Sequence, residues 1–346
     1  YIVPIVPDEA RTFGMESLFR QCGIYSHTGQ QYEPVDSDKM LYYREATDGQ
    51  ILEEGITEAG CMSSFIAAGT SHAMHGVPMI PMFLYYSMFG FQRVGDLIWA
   101  AADSRSKGFL VGATSGRTTL NGEGLQHQDG HSLLAASAVP TILPYEPAFA
   151  YEVIALTFDG LRRMYAEDET VMYYLTIHNE NHEMPAMPDG AAEGIRRGLY
   201  RYASRESGDG EAPVELLASG PILFEALRAQ ELLAEKFDLA SNVWSATSWT
   251  LLARDAQEAE RWNRLHPKQA PRESYLHATL GEPEGPVVAA SDWVRAVPGQ
   301  IRAYLPDDTL ILGTDGFGRS DTRADLRRFF EVSAEHIAAA ALAQRC

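Results

Sequence analysis

The sequence predicts an α/β fold of two domains, each a mostly parallel sheet covered by helices. Three observations carry this. Short apolar runs of strand length alternate with longer helix-period patterns along the whole chain. A stretch rich in Pro, Gly and acid, from Asn179 to Gly194 with Pro185 and Pro188, interrupts the alternation and reads as a linker or long crossover. The chain has 346 residues, too many for one ordinary core and natural for two. The predicted domains are residues 1–190 and 191–346.

The chain opens on Tyr1-Ile2-Val3-Pro4-Ile5-Val6, a buried-strand pattern. Met79 to Tyr86 reads as a strand and Phe91 to Ala102 as a helix. Strands follow at Phe109 to Ala113 and Thr141 to Tyr145, then a helix from Ala148 to Met164 and a strand from Val171 to Ile177. Beyond the linker, strands are expected at Val214 to Ala218, Asn242 to Ala246, Val287 to Ala290 and Leu310 to Leu312. The helices between and after them are Phe224 to Lys236, Ala256 to Leu265 and Ala324 to Phe330. Pattern alone leaves antiparallel edge strands open. A core strand at the start and an apolar helical pattern at the end, Ile337 to Leu342, lead us to expect a fragment of something longer.

Composition narrows the function. Apolar residues make up 45% and charged residues 22%, as in an ordinary globular chain. A net charge of −19 argues against nucleic acid or anionic membrane as partner, because both call for a basic face. Cys22, Cys61 and Cys346 are few, odd in number and widely spaced, so no disulfide framework is implied and a reducing cytoplasm fits. No apolar run approaches the ~18 residues of a membrane span.

Several segments carry candidate chemistry. Glu58 lies in Gly55-Ile56-Thr57-Glu58-Ala59-Gly60, among apolar or small neighbours that include Met62. Desolvation there would favour the neutral acid, which suits proton exchange with a bound heterocycle; the plainer alternative is a solvated helix glutamate. Phe83, Tyr85, Tyr86, Phe89 and Phe91 cluster at the end of a strand, where aromatics either stack on a planar ligand or fill the core. Gly112 to His131 is a long Gly-rich loop, a length that is usually functional or disordered. Its end, His127-Gln128-Asp129-Gly130-His131, has two histidines at i and i+4, but Gly130 weakens the helix that would align them on zinc. One histidine facing a pocket is the better reading. His178 and His182 share that spacing while leaving a strand, and read as loop histidines. Gly208-Asp209-Gly210 with Asn242 mimics a Mg²⁺-diphosphate signature. It sits in a charged turn rather than after a buried strand, and we reject it because a hard cation needs rigidly placed oxygens. In Gly313 to Asp321, Ser320 or Asp321 is expected to cap the next helix.

Taken together, longer runs resemble one family. They are Pro7-Asp8-Glu9-Ala10-Arg11-Thr12-Phe13-Gly14-Met15, Gly55-Ile56-Thr57-Glu58, Tyr85-Tyr86-Ser87-Met88-Phe89-Gly90-Phe91-Gln92-Arg93, Gly116-Arg117-Thr118-Thr119-Leu120-Asn121-Gly122-Glu123-Gly124-Leu125-Gln126-His127, and the Gly313 to Asp321 run. In collinear order over almost the whole chain, they resemble the homodimeric pyruvate dehydrogenase component of bacteria, a relative of transketolase. The resemblance implies a pyrimidine-binding domain over residues 1 to about 190 and a transketolase-type carboxy-terminal domain after it. The diphosphate-binding domain would be absent.

The resemblance also implies roles. Glu58 would face N1′ of the thiamine diphosphate pyrimidine, Phe89 would stack on that ring, Tyr86 would lie near its amino group and Ile56 would wall it. His127 would contact substrate-derived atoms or lipoyl, and Asp8 and Glu9 match acidic residues near the active centre. Mg²⁺ ligands are expected in the absent domain. Pyruvate, the lipoyl domain of dihydrolipoyl acetyltransferase and a second copy of the chain are the implied partners, and the chain alone is expected to fold, dimerise and be inactive. A noncatalytic assembly module and a transketolase-like enzyme of other substrate are the alternatives; the Tyr85 to Arg93 and Gly116 to His127 runs favour the pyruvate enzyme.

Overall fold

A computed structural model describes residues 1–8, 10–35, 43–206 and 212–345. Glu9, Cys346 and the rejected Gly208-Asp209-Gly210 turn lie outside the described residues. The chain forms two compact units: Tyr1–Thr114 with Val139–Ile142 and Gly160–Tyr174, and Ser115–Ala138 with Leu143–Asp159 and Leu175–Cys346.

The strands are β1 (Ile2–Val6), β2 (Ile24–Tyr25), β3 (Glu45–Ala46), β4 (Leu52–Glu53), β5 (Ile80–Tyr85), β6 (Gly108–Ala113), β7 (Ile142–Tyr145), β8 (Met172–Ile177), β9 (Tyr200–Arg205), β10 (Val214–Ala218), β11 (Ser241–Ser245), β12 (Val287–Ala290) and β13 (Leu310–Leu312). One sheet runs β4-β1-β5-β6-β8-β7 and the other β13-β12-β10-β11-β9, with β2 and β3 as a small parallel pair. In the first, β1 pairs in parallel with β4 and β5, and β5 with β6. Every residue of β6 is buried, as expected of a parallel strand covered on both faces. The α/β expectation holds in both sheets.

Strand alternation sets up the first unit's site. In β5 Phe83 and Tyr85 point into the core, fully buried, and their rings lie 4.7 Å apart. The next residue, Tyr86, is thereby released from the core face. The aromatic cluster thus divides between core (Phe83, Tyr85) and a half-buried turn (Tyr86, Phe89). Gly90 permits that turn, because a Cβ there would sit 2.1 Å from Cε2 of Tyr85. Helix Glu58–Gly69 buries Glu58, Cys61, Met62, Phe65, Ala68 and Gly69, a stripe at helical spacing. Glu58 is therefore on the core side of its helix by register, and Thr57 caps the helix by accepting from Gly60 N at 3.2 Å.

In the second unit, β10 pairs in parallel with β11 and β12, and β12 with β13. The strand β9 was not foreseen; it adds an antiparallel edge to β11, with a register shift between Val243 and Trp244. Helix Ile222–Phe237 packs its Ala226, Ala229 and Leu233 in one apolar core with Ile337, Ala338 and Ala341 of helix Ala334–Ala343. Two boundaries need correction. The helix expected from Ala256 starts at Trp249, because Ser248 caps it by accepting from Leu251 N at 3.2 Å. The cap of helix Arg323–Phe329 is Thr322, whose hydroxyl accepts from Asp325 N at 3.2 Å, and not Ser320 or Asp321; Asp321 instead accepts from Thr322 N.

Candidate functional site

Three segments of the first unit converge on Glu58. The acid is 8% exposed at the first turn of its helix. Nη1 of Arg93 donates to both of its oxygens, at 3.1 and 3.0 Å. Arg93 comes from helix Phe91–Asp103, and its guanidinium carbon lies 4.0 Å from the centroid of Phe89. Phe89 meets Tyr86 edge-on at 6.3 Å, and Tyr86 in turn meets Phe13 edge-on at 5.4 Å. Glu58, Phe89 and Tyr86 are thus one connected group. Ile56, two residues before Glu58, is 77% exposed. The neighbour that actually faces the carboxylate is a cation, which the apolar surroundings in sequence did not reveal.

Asp8 is exposed just past β1 and bears on a second acid that sequence reasoning passed over. Glu53 ends β4, in register with Val6. Burial pushes its carboxyl up to about 7; the charge of Asp8 adds to this, while the Tyr43 hydroxyl and Arg11 oppose it. Its Oε2 is buried without a hydrogen-bond partner among the described residues. A glutamate closing a short apolar strand edge is the only signal the sequence carries for it.

The second unit holds the Gly-rich loop in a polar clamp. Asp292 is fully buried and accepts from Thr118 N at 2.9 Å, Thr118 Oγ1 at 2.7 Å, Thr119 N at 3.2 Å and Thr119 Oγ1 at 2.7 Å. Burial pushes this carboxyl up and the threonine donors pull it back. Gly116 has φ +91°, and a Cβ there would lie 2.2 Å from Asp292 Oδ2, so glycine is required twice over. Arg117 donates to the Thr314 carbonyl, and burial lowers its pKa. No motif marked Asp292 in the sequence.

His127 ends a short turn, Leu125–His127, with Nδ1 3.6 Å from Glu123 Oε2. His131 Nδ1 is 3.8 Å from Asp129 Oδ1, so each histidine faces its own acid. Asp129 accepts from His131 N and Ser132 N and so anchors the next short helix. His178 and His182 lie 5.9 Å apart between ring centroids, His182 stacks on Phe224 at 3.5 Å, and burial pushes His178 down to about 4. Among the described residues, no group of three or more His, Cys, Asp or Glu is placed to hold a metal ion, and no helix is long and apolar enough to cross a membrane.

A buried acid, a half-exposed guanidinium and an aromatic face side by side offer hydrogen-bonding and stacking surfaces that can take a flat heterocycle.

Known proteins match the chain throughout. The family model "Pyruvate dehydrogenase E1 component middle domain" matches residues 1–185, and "Transketolase-like TK C-terminal domain" matches residues 198–333. The chain is 55% identical over 342 residues to the pyruvate dehydrogenase E1 component of Pseudomonas aeruginosa, covering 99% of the chain and 39% of that protein. It is 54% identical over 345 residues to that of Escherichia coli, covering 99% of the chain and 38% of that protein. It therefore spans well under half the length of these relatives. Among solved structures, the transketolase of Leishmania mexicana superposes with a TM-score of 0.70 at 18% identity over 99% of this chain and 43% of that one, a likeness of fold. With a middle-domain model matched over more than half its residues and such relatives along nearly all of it, the chain belongs to the pyruvate dehydrogenase E1 component family.

Proposed function

We propose that this chain supplies the aminopyrimidine side of a thiamine diphosphate site in an enzyme that oxidatively decarboxylates pyruvate and passes the acetyl group to lipoyl. The observation that carries the reading is the joining of Glu58, Phe89 and Tyr86 into one group, half open to solvent, in a member of this family. When bound, the cofactor supplies the electron sink for loss of CO₂ from a 2-oxo acid.

The chain's own residues do the rest. Glu58, in the first turn of its helix, is the group that exchanges a proton at N1′ of the pyrimidine. Phe89 offers a ring face, braced by Tyr86, which Phe13 braces in turn. We assign Tyr86 to the pyrimidine amino group and Ile56 to the wall of the ring, and count Asp8 and Glu9 among the acids near the active centre. His127, in the second unit, is assigned to substrate-derived atoms or lipoyl. The Mg²⁺ ligands are assigned to a diphosphate domain outside residues 1–346, and a two-fold homodimer is the assembly. The boundary between pyrimidine-binding and carboxy-terminal domains is placed near residue 190. Pyruvate and the lipoyl domain of dihydrolipoyl acetyltransferase are the partners, in the cytoplasm, with neither nucleic acid nor membrane.

The test is Glu58→Gln in the full-length protein. Glutamine keeps the size of the acid and cannot exchange a proton, so turnover is expected to fall by ~10²–10⁴ with melting unchanged. Near-normal pyruvate decarboxylation would overturn the reading.

A further inference from the structure

The arc that bears His127 is exposed along its middle and buried at both feet. Leu120 is 3% exposed, residues 121–126 are exposed, and Gln128 and Asp129 are fully buried. His127 therefore stands where an exposed arc returns to the interior. Its ring nitrogen Nδ1 is 3.6 Å from Glu123 Oε2, but Glu123 rides on the same arc and cannot fix where the arc lies.

One side chain closes the arc. Nε2 of Gln128 donates to the Leu120 carbonyl at 2.8 Å, across eight residues, and Oε1 accepts from the backbone N–H of Arg319 at 2.6 Å. These partners set the orientation of the amide, since a backbone carbonyl only accepts and a backbone N–H only donates. The glutamine joins the two feet of the arc to each other and both to Gly318-Arg319, a segment within residues 198–333 that match the transketolase-like C-terminal model. Gly318 is shaped to the same contact. A Cβ there would lie 2.6 Å from Oε1 of Gln128 and 3.1 Å from the carbonyl oxygen of Leu125, which begins the turn ending in His127. A buried amide with donor and acceptor both used is costly to disturb, so the staple holds while the arc outside it stays in solvent.

We propose that Gln128 is a positioning residue for His127, setting the place of the imidazole by stapling its arc to the transketolase-like segment at Arg319. That segment then acts on the chemistry through one loop rather than standing outside it. All of these residues lie in the second compact unit. A misplacement of about 1 Å can cost a reaction ~10²-fold, so the loss of such a support is read in rate.

The inference rests on the assignment of His127 to substrate-derived atoms or lipoyl, and the experiment separates the two. The full-length protein, with thiamine diphosphate, Mg²⁺ and pyruvate, is followed by reductive acetylation of the free lipoyl domain of dihydrolipoyl acetyltransferase. Cofactor affinity is measured by calorimetry. Gln128→Leu keeps the bulk and loses both bonds; it is expected to slow acetylation about 10-fold with cofactor affinity unchanged. Gly318→Ala presses on the staple from the other side and is expected to slow it about 3- to 10-fold. The deciding readout is a double-mutant cycle. In a His127→Ala background either substitution should cost less than about 2-fold more, because nothing is left to position, whereas a glutamine that only stabilises the fold gives losses that multiply. Folded variants, checked by melting, that keep the parent rate or whose losses multiply with His127→Ala overturn the positioning role. If Gln128→Leu does not fold, Gly318→Ala carries the cycle alone. If His127→Ala itself leaves acetylation at the parent rate, the assignment of His127 falls instead.

Discussion

Glu58 and Asp292 are both buried carboxylates, and they are answered in opposite ways. Asp292 has four donors from two consecutive threonines of one loop. Glu58 has one nitrogen at the end of a long side chain that is half in solvent. A carboxylate saturated by backbone and hydroxyl donors cannot change partners without tearing the loop. One held by a flexible cation can. The first arrangement builds structure and the second leaves chemistry available.

The sharpest test of this contrast is Glu58→Gln, where the loss expected is in rate, ~10²–10⁴ in turnover, with stability nearly untouched. Asp292→Ala should do the reverse to the fold. Two buried hydroxyls and two backbone N–H groups would lose their acceptor, and we expect about 3–5 kcal/mol of lost stability by denaturant titration. If Asp292→Ala melted like the parent, the clamp would not be structural. His127→Ala is expected to slow reductive acetylation of lipoyl by about 10², the low end of one lost acid–base contact, while leaving cofactor affinity intact. Loss of affinity with normal chemistry would move His127 to the cofactor.

The effect confined to a pH window concerns a third acid. Burial pushes Glu146 up to about 8, against which the Ser219 hydroxyl, donating at 2.5 Å, pulls down. The folded state thus binds a proton that the unfolded state has released between about 4.5 and 8, so this group's contribution is full below the lower value and is lost as pH rises through the upper. Glu146→Gln should flatten the decline of stability over that window, by up to about 5 kcal/mol. A parallel pH curve would show that Glu146 is already ionised.

Much of this was legible in the amino-acid order. Parallel strands buried on both faces read as continuous apolar runs, and Val214 to Ala218 or Phe109 to Ala113 have no other use. Glu58 was legible from its apolar neighbours and the Gly55-Ile56-Thr57-Glu58 run, while the helix that sets it on the stripe of Cys61, Met62, Phe65 and Ala68 is seen only in the structure. Arg93 was in view within a family motif but had no role, since its partner lies 35 residues away and only packing brings the two together. Asp292 stands in no motif and gains meaning from threonines more than 170 positions earlier. The antiparallel β9 escaped because edge strands exposed on one face lack a strong apolar signal. Thr322 was missed as a cap for a local reason: several small polar residues precede its helix, and only backbone geometry decides among them; Ser248 was missed because its helix starts seven residues before the expected Ala256.

Gly90 carries a last consequence. The Phe89 ring owes its placement to a turn that runs against the face of Tyr85, where even a methyl group would collide at 2.1 Å. The instruction that aims this aromatic is therefore written as a missing side chain. Scanning the pocket by truncation, residue by residue, would never register it, because there is nothing at Gly90 to truncate. A designer transplanting Glu58, Tyr86 and Phe89 onto another scaffold would copy every visible part of the receptor and still lose its aim unless the gap came too.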